Sequence, residues 1–201
     1  KSLKMLSLAT CNVSDRGIVR LGALPGLTEL YLTDTDIGDQ ALATVGSLKN
    51  LEGLGLSRTR ITDSGMVHLA GLTRLTGLNL NQTRIGDTGL EHVRGLTALT
   101  HLGLKETRVT SRGLRHLANC QALSVVWLDK TRITDDGLKP LRRLPALKRL
   151  YLSYTNITDV GLLYLKDNAT CEGLELSHTR VTNAGLKHLY TLKGLVGLNL
   201  K

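Results

Sequence analysis

One spacing dominates this chain: leucines recur every 24 residues along its 201 residues, without an insertion or a deletion. A typical unit reads L-x-x-L-x-L-x-x-T-x-I-T-D-x-G-L-x-x-L-x-x-L-x-x. The units begin at Leu3, Leu27, Leu51, Leu75, Leu99, Leu123, Leu147, Cys171 and Leu195. A fixed period of this length is typical of solenoids, in which each unit buries its apolar side against its neighbours. We therefore predict one domain over residues 1–201, with eight full units (3–194) and a ninth strand (195–200).

Within each unit, the apolar spacing changes from that of a strand to that of a helix. Leucines at positions 4 and 6 indicate a strand over positions 1 to 7, with positions 3, 5 and 7 facing outward. Leucines at positions 16, 19 and 22 form the stripe of a helix over positions 14 to 22. Strand-helix repeats of this kind give parallel strands with right-handed crossovers. The expected fold class is α/β, a right-handed solenoid with a concave parallel sheet and convex helices.

The units resemble leucine-rich repeats. Residues 51–56, 75–80 and 147–152 all read L-x-x-L-x-L, which is the signature of that family. The tail I-T-D-x-G-L, as in residues 133–138, is similar to the ribonuclease-inhibitor-like and cysteine-containing subclasses, which include the substrate-reading arms of F-box proteins. The resemblance covers residues 3–201 and implies a horseshoe-shaped solenoid that binds other proteins. Threonine replaces the Cys or Asn of the cysteine-containing subclass at position 9, where Cys11 alone keeps cysteine.

Three positions of the unit carry the same residue type in most copies, and we call each such set of residues a column. Each of these three columns has a structural interpretation. Threonine at position 9 should bond the backbone of its own loop and of the next turn. Aspartate at position 13 is expected to cap the helix that follows it. Glycine at position 15 should allow close packing of adjacent turns. The aspartates are Asp15, Asp39, Asp63, Asp87, Asp135 and Asp159.

The arginines at position 10 leave two interpretations open. They are Arg60, Arg84, Arg108, Arg132 and Arg180. In a stacked solenoid these like charges lie about 5 Å apart, which is unfavourable unless something neutralises them. They form either an exposed lattice with the aspartate column or a basic edge for an acidic partner.

Large aromatic side chains concentrate on the predicted concave face. Trp127 and Tyr151 share position 5 in neighbouring units, so they should stand side by side. We predict a partner-binding surface formed by Trp127, Tyr151, Tyr154, Arg149, Lys105, Asp129, Lys130 and Tyr31. Trp, Tyr and Arg are enriched at binding hot spots. The alternative is that the aromatic pair only stabilises adjacent strands.

Charge and cysteine content restrict the partners and the compartment. The formal net charge is +9, yet unit two carries −3, while units five and six carry +3 and +2. We expect a protein partner with an acidic surface; nucleic acid is a weaker possibility because acidic residues interrupt the basic ones. Cys11, Cys120 and Cys171 occupy core positions, which indicates buried thiols in a reducing, cytoplasmic setting. No run of apolar residues is long enough for a membrane span.

The motifs favour a binding module over an enzyme. The chain lacks nucleotide-binding and hydrolase motifs, so we predict a non-catalytic protein-binding module without cofactor, metal or small-molecule substrate. The alternatives are a substrate-recognition arm of a larger enzyme, such as a ubiquitin ligase or bacterial effector, and a binder of an acidic polymer or nucleic acid. Because both ends fall inside the repeat pattern, we expect a fragment of a longer protein without its capping units.

Overall fold

The computed structural model describes residues 3–166 and 168–201, and within them nine short strands form one sheet. Every strand occupies positions 3 to 5 of its unit, and the strands pair in parallel in chain order. They are β1 (Met5–Ser7), β2 (Glu29–Tyr31), β3 (Gly53–Gly55), β4 (Gly77–Asn79), β5 (His101–Gly103), β6 (Val125–Trp127), β7 (Arg149–Tyr151), β8 (Gly173–Glu175) and β9 (Gly197–Asn199). Each residue pairs with the residue 24 positions later, as Leu54 does with Leu78. The predicted parallel sheet is confirmed.

The core is a continuous column of leucines between the sheet and the helices. The inward residues of inner strands, such as Leu30 and Leu102, are fully buried, and so are the position-6 leucines such as Leu104. At the two ends of the sheet, Leu3, which precedes β1, and Leu198 of β9 are exposed. Positions 3, 5 and 7 together form what we call the sheet face, the side of the sheet away from the helices.

The strands are shorter than the predicted seven residues because the chain turns at position 8. The residue there has a positive φ of 54° to 59° in each of eight units, although it is never glycine. These residues are Thr10, Asp34, Arg58, Gln82, Glu106, Lys130, Tyr154 and His178. Their amides still bond to the next unit, as the amide of Arg58 does to the carbonyl of Asn81 at 3.0 Å. Stacking of the units therefore stabilises a backbone conformation that these residues rarely adopt alone.

Short helices return the chain to the next strand, and they alternate between α and 3-10 geometry. The α-helices are α1 (Asp15–Ile18), α2 (Asp39–Val45), α3 (Asp87–Glu91), α4 (Leu138–Leu141) and α5 (Asp159–Leu165). The 3-10 helices span Val19–Ala23, Asp63–Leu69, Gly113–Asn119, Asp135–Gly137 and Leu186–Thr191. The predicted helices were too long, because tight turns replace their last residues. After the helix of unit two, the backbone N–H groups of Leu48 and of Leu51, the first residue of unit three, donate to carbonyls three residues earlier.

The aspartate column joins neighbouring units, so the predicted capping role is wrong. The cap position of these helices is position 12, one residue earlier, as at Thr62 and Thr158. The Asp39 carboxylate accepts from the backbone N–H of Thr62 at 2.7 Å and from its hydroxyl at 2.6 Å. Asp87 and Asp135 repeat this pattern with the threonine 23 residues later. At Asp159 the same hydrogen bonds, led by that from the backbone of Thr182, lower the pKa of the carboxyl.

The glycine column makes room for these aspartates, which confirms its close-packing role. A Cβ atom on Gly65 would lie 2.5 Å from Oδ1 of Asp39. A Cβ atom on Gly89 would lie equally close to Oδ1 of Asp63, and one on Gly161 would lie 2.6 Å from Oδ1 of Asp135.

Threonine at position 9 acts within its own loop. From Thr35 to Thr179, each hydroxyl donates to the carbonyl of the leucine three residues earlier, over 2.5 to 2.7 Å. The bond to the loop backbone was predicted correctly, and the bond to the next turn was not. Cys11 at the same position in unit one is exposed, contrary to prediction, whereas Cys120 and Cys171 are buried. Burial raises the pKa of each of those two thiols to about 11.

Replacing Asn168 with leucine should stabilise the protein by about 1–2 kcal/mol. Asn168 is 3% exposed at a position that is leucine in most units, and its Nδ2 has no partner among the described residues. The hydroxyl of Thr170 lies 3.0 Å from its Oδ1 and 2.9 Å from the carbonyl oxygen of Leu147, so in the variant this hydroxyl keeps Leu147 as its acceptor. Urea denaturation of the variant and the wild type checks this, and a lower midpoint for Asn168→Leu would contradict it.

Candidate functional site

Three rings stack across neighbouring strands at the middle of the sheet face. Trp127 and Tyr151 have centroids 5.5 Å apart and planes 13° apart. His101 stacks on the other side of Trp127, with centroids 6.2 Å apart. Trp127 and Tyr151 are half-buried, and the three residues form what we call the aromatic ridge. The predicted neighbour relation of Trp127 and Tyr151 is confirmed, whereas His101 was not predicted because it lies at position 3.

A second series of contacts joins the side chains of the turn residues at position 8 in successive units. Arg58 donates to the side chain of Gln82 at 2.7 Å, and Gln82 donates to the carboxylate of Glu106 at 2.8 Å. Glu106 also forms an ion pair of 3.1 Å with Lys130. The hydrogen bonds from Gln82 and Lys130 lower the pKa of the Glu106 carboxyl. This polar row fixes side chains at one edge of the sheet face.

The polar row ends in a second aromatic stack. Lys130 places its Nζ 5.8 Å from the ring centroid of Tyr154. Tyr154 stacks on His178 with centroids 4.2 Å apart. His178 was not predicted, although it shares position 8 with Tyr154 one unit later and the 24-residue period could have found it. Tyr154 and Lys130 therefore lie together, as expected, with an aromatic partner added.

The aromatic ridge separates two shallow depressions on the sheet face. One has a volume of about 280 Å³ and lies over β3 to β5, between Tyr31 and the ridge residues His101 and Trp127. We call it the glycine depression. The other has a volume of about 530 Å³ and lies over β7 to β9, between Tyr151, Arg149 and Glu175. Tyr31 therefore belongs to the far wall of the first depression and does not join the other predicted residues.

The pKa values of two carboxyl groups beside the ridge, those of Asp129 and Glu175, shift in opposite directions. Burial raises the pKa of Asp129, even though its Oδ1 accepts from the backbone N–H of Ser153 at 3.0 Å. Glu175 accepts from the hydroxyls of Ser153 and Ser177, and the pKa of its carboxyl is lowered, although burial itself raises it. Asp129 is therefore less readily charged than the sequence suggests, while Glu175 is held as an anion.

Asp129→Asn should stabilise the protein at neutral pH, because the raised pKa shows that the folded state disfavours the charged carboxylate. Asparagine can still accept from Ser153 N–H through its own oxygen. A raised pKa contributes stability that is present below the unfolded value of about 4 and is lost as pH rises through the folded value. The advantage of the variant should therefore vanish below about pH 4. Thermal unfolding of both proteins at the two pH values tests this, and an equal difference at both would contradict it.

The arginine column lies apart from the aromatic ridge, in the loops before the helices. All five arginines are exposed. Arg60 pairs with Asp36 in its own column, with Nε 2.9 Å from Oδ1. No ion pair joins the other four to the aspartate column in the described part of the chain, since those carboxylates already accept from the next unit. Asp36 does not belong to the aspartate column, so the lattice interpretation is wrong for all five arginines, and a basic edge remains a proposal.

Lys105 and Arg149 supply positive charge on the two sides of the ridge. Lys105 lies at position 7 of unit five, and its charge acts to lower the pKa of Asp129 against the effect of burial. Arg149 is exposed, and its side chain lies over Gly173, where an added Cβ would be 3.3 Å from the arginine Cγ. Of the three cations predicted for the partner-binding surface, Lys130 alone forms an ion pair with a described residue, so Lys105 and Arg149 offer the freer charge. In the part of the chain that is described, no helix could cross a membrane.

Comparisons with known proteins agree on the repeat. The family profile described as "Leucine Rich repeat" matches residues 144–166. The crystal structure of internalin C2 from Listeria monocytogenes matches with a TM-score of 0.84 and 25% identity, over 98% of this chain and 80% of that chain. A second internalin from the same species, InlF, matches with a TM-score of 0.44 and 19% identity, over 99% and 81% of the chains, and adds nothing to the fold assignment. No curated protein matches. The chain folds as an α/β leucine-rich-repeat solenoid.

Proposed function

We propose, with the leucine-rich-repeat solenoid as the premise, that this chain is a non-catalytic module that binds a partner protein through its sheet face. The observation that carries the proposal is the stacked pair Trp127 and Tyr151, half-buried on a face that no other element of the described chain covers. Their rings offer a large apolar area with few rotatable bonds, so binding orders little that is mobile. The partner then docks over units five to seven.

The charge around the ridge favours an acidic rim on that partner. Arg149 is exposed beside Tyr151, and Lys105 adds a second positive charge one strand before Trp127. Opposite charges at the rim of an interface act mainly on the association rate. Asp129 opposes this pattern, and its carboxylate already accepts from the backbone N–H of Ser153.

Trp127→Ala should weaken binding by about 2 kcal/mol, or roughly 30-fold in Kd, which is typical of a hot spot. The ligands for this test are peptides selected from a displayed random library on the immobilised wild-type protein, and calorimetry measures their Kd. The matched control is Tyr190→Ala, because Tyr190 is an aromatic side chain, 85% exposed, at a helix end away from the sheet face. If the selected peptides lose affinity for Tyr190→Ala and keep it for Trp127→Ala, the sheet face is the wrong site.

Two finer assignments accompany this proposal. The similarity of the unit to the ribonuclease-inhibitor-like and cysteine-containing repeats supports placing the chain near those subclasses. Three free cysteines, two of them buried with raised pKa values, support a reducing cytoplasmic location. Fractionation of cells that express the protein with a fused tag tests the location.

A further inference from the structure

One glycine of the glycine depression has open space where a side chain would stand, whereas two others do not. An added Cβ on Gly55 would lie 2.8 Å from the ring of Tyr31, and one on Gly103 would lie 2.8 Å from Oδ1 of Asn81. These two glycines are therefore covered by side chains of the preceding unit. At Gly77, between them on β4, an added Cβ would meet no atom within 4 Å. Gly77 is the floor of the depression, and no packing constraint requires glycine there.

The lining of the depression differs in charge from the rest of the sheet face. Its polar residues are uncharged amides, hydroxyls and a histidine, in a chain of net charge +9. The Asn79 and Asn81 oxygens already accept backbone N–H groups, from Asn81 at 3.0 Å and Lys105 at 2.8 Å. In the described structure their Nδ2 groups donate to nothing. The depression therefore offers hydrogen-bond donors beside two aromatic walls, which suits an apolar side chain whose own backbone supplies carbonyl acceptors.

The second depression, on the opposite side of the ridge, presents an exposed positive charge at Arg149. Arg149 is the exposed cation of the second depression. Of the two carboxylates that also line it, Glu172 is paired with Lys148 at 2.9 Å and Glu175 accepts from Ser153 and Ser177. A carboxylate is the group that an exposed guanidinium binds with the best geometry. A ligand that reaches both depressions must cross the ridge of Trp127 and Tyr151.

We propose that the sheet face binds an extended peptide segment that crosses the strands and uses both depressions. A bulky apolar side chain of the peptide fills the glycine depression over Gly77, its middle lies on the aromatic ridge, and an acidic side chain binds Arg149. The volume of about 280 Å³ suits one such side chain with its backbone. This inference rests on the proposed function and adds the chemistry of the partner.

The sheet geometry sets the spacing of the two side chains. Gly77 lies on β4 and Arg149 on β7, so three strand intervals of about 4.8 Å separate them, roughly 14 Å in all. An extended chain advances about 3.3 Å per residue, which places the apolar and acidic residues about four positions apart. A segment lying along one strand would reach only one of the two depressions.

The test uses peptides selected from a displayed random library on the wild-type protein. We expect them to share a bulky apolar residue and an acidic residue about four positions apart. Gly77→Gln, whose Cβ would meet no atom within 4 Å and whose side chain fills the depression, should weaken their binding about tenfold or more. Gly95→Gln is the control, because Gly95 lies outside the sheet face and an added Cβ meets only a backbone oxygen at 3.9 Å.

A double-mutant cycle connects each side chain to its depression. Replacing the apolar peptide residue with alanine should remove most of the effect of Gly77→Gln, and replacing the acid with its amide should remove most of the effect of Arg149→Ala. Peptides that bind Gly77→Gln as tightly as wild type, yet fail on Trp127→Ala, would overturn this inference and leave the proposed function standing. Peptides that bind both variants normally would overturn both.

Discussion

Replacing Gly89 with alanine should lower the free energy of unfolding by about 3 kcal/mol, although only one methyl group is added. The new Cβ would lie 2.5 Å from Oδ1 of Asp63 and 3.0 Å from a methyl carbon of Ile85. Asp63 cannot retreat without losing its 2.6 Å hydrogen bond from the backbone N–H of Gly86. The substitution therefore overpacks the interface between two units and weakens the bond that joins them.

Gly77→Ala is the matched control for this prediction. Gly77 also has a negative φ, and its Cβ would meet no atom within 4 Å. Alanine there should leave stability unchanged or raise it by up to about 1 kcal/mol, since the unfolded chain loses freedom. Urea denaturation of both variants measures the difference, and equal losses in the two would show that the approach of Asp63 is not what requires glycine at position 15.

The two glycines show what a repeat pattern predicts and where it stops. The column at position 15 was visible in the sequence, and its close-packing role followed from its regularity. Its contact with aspartate was not, because Asp63 and Gly89 are 26 residues apart and meet only when the units stack. The same reason explains the wrong capping role of the aspartates: a carboxylate before a helix normally serves that helix, and only the stacked structure offers it the next unit.

The candidate site was predictable to the extent that it follows the 24-residue period. Trp127 and Tyr151 share position 5, so a parallel register places their rings together. His101 stacks from position 3, and such a diagonal contact depends on how far each side chain leans toward the next strand. The positive φ at position 8 was hidden as well, because no glycine occurs there. For the same reason, the sequence analysis did not predict the polar row of Arg58, Gln82 and Glu106.

Asp135→Ala should cost about 2–3 kcal/mol of unfolding free energy. The carboxylate accepts from the Thr158 backbone N–H at 2.8 Å and from its hydroxyl at 2.7 Å. Alanine leaves both donors without this partner at a half-buried junction between units six and seven. Because each unit of a solenoid is stabilised chiefly by its neighbours, the loss at one junction should lower the midpoint of the whole transition.

The chain supplies its own control for this substitution. Unit five carries Ser111 at position 13, where units one to four, six and seven carry aspartate. The Ser111 hydroxyl accepts from the Thr134 backbone N–H at 2.9 Å and contacts the Thr134 hydroxyl at the same distance. Asp135→Ser should therefore keep both bonds to Thr158 and lose less than half of what Asp135→Ala loses. Chemical denaturation of the three proteins gives the ranking. If serine and alanine are equally destabilising, the charge of Asp135 stabilises the junction and its hydrogen bonds do not.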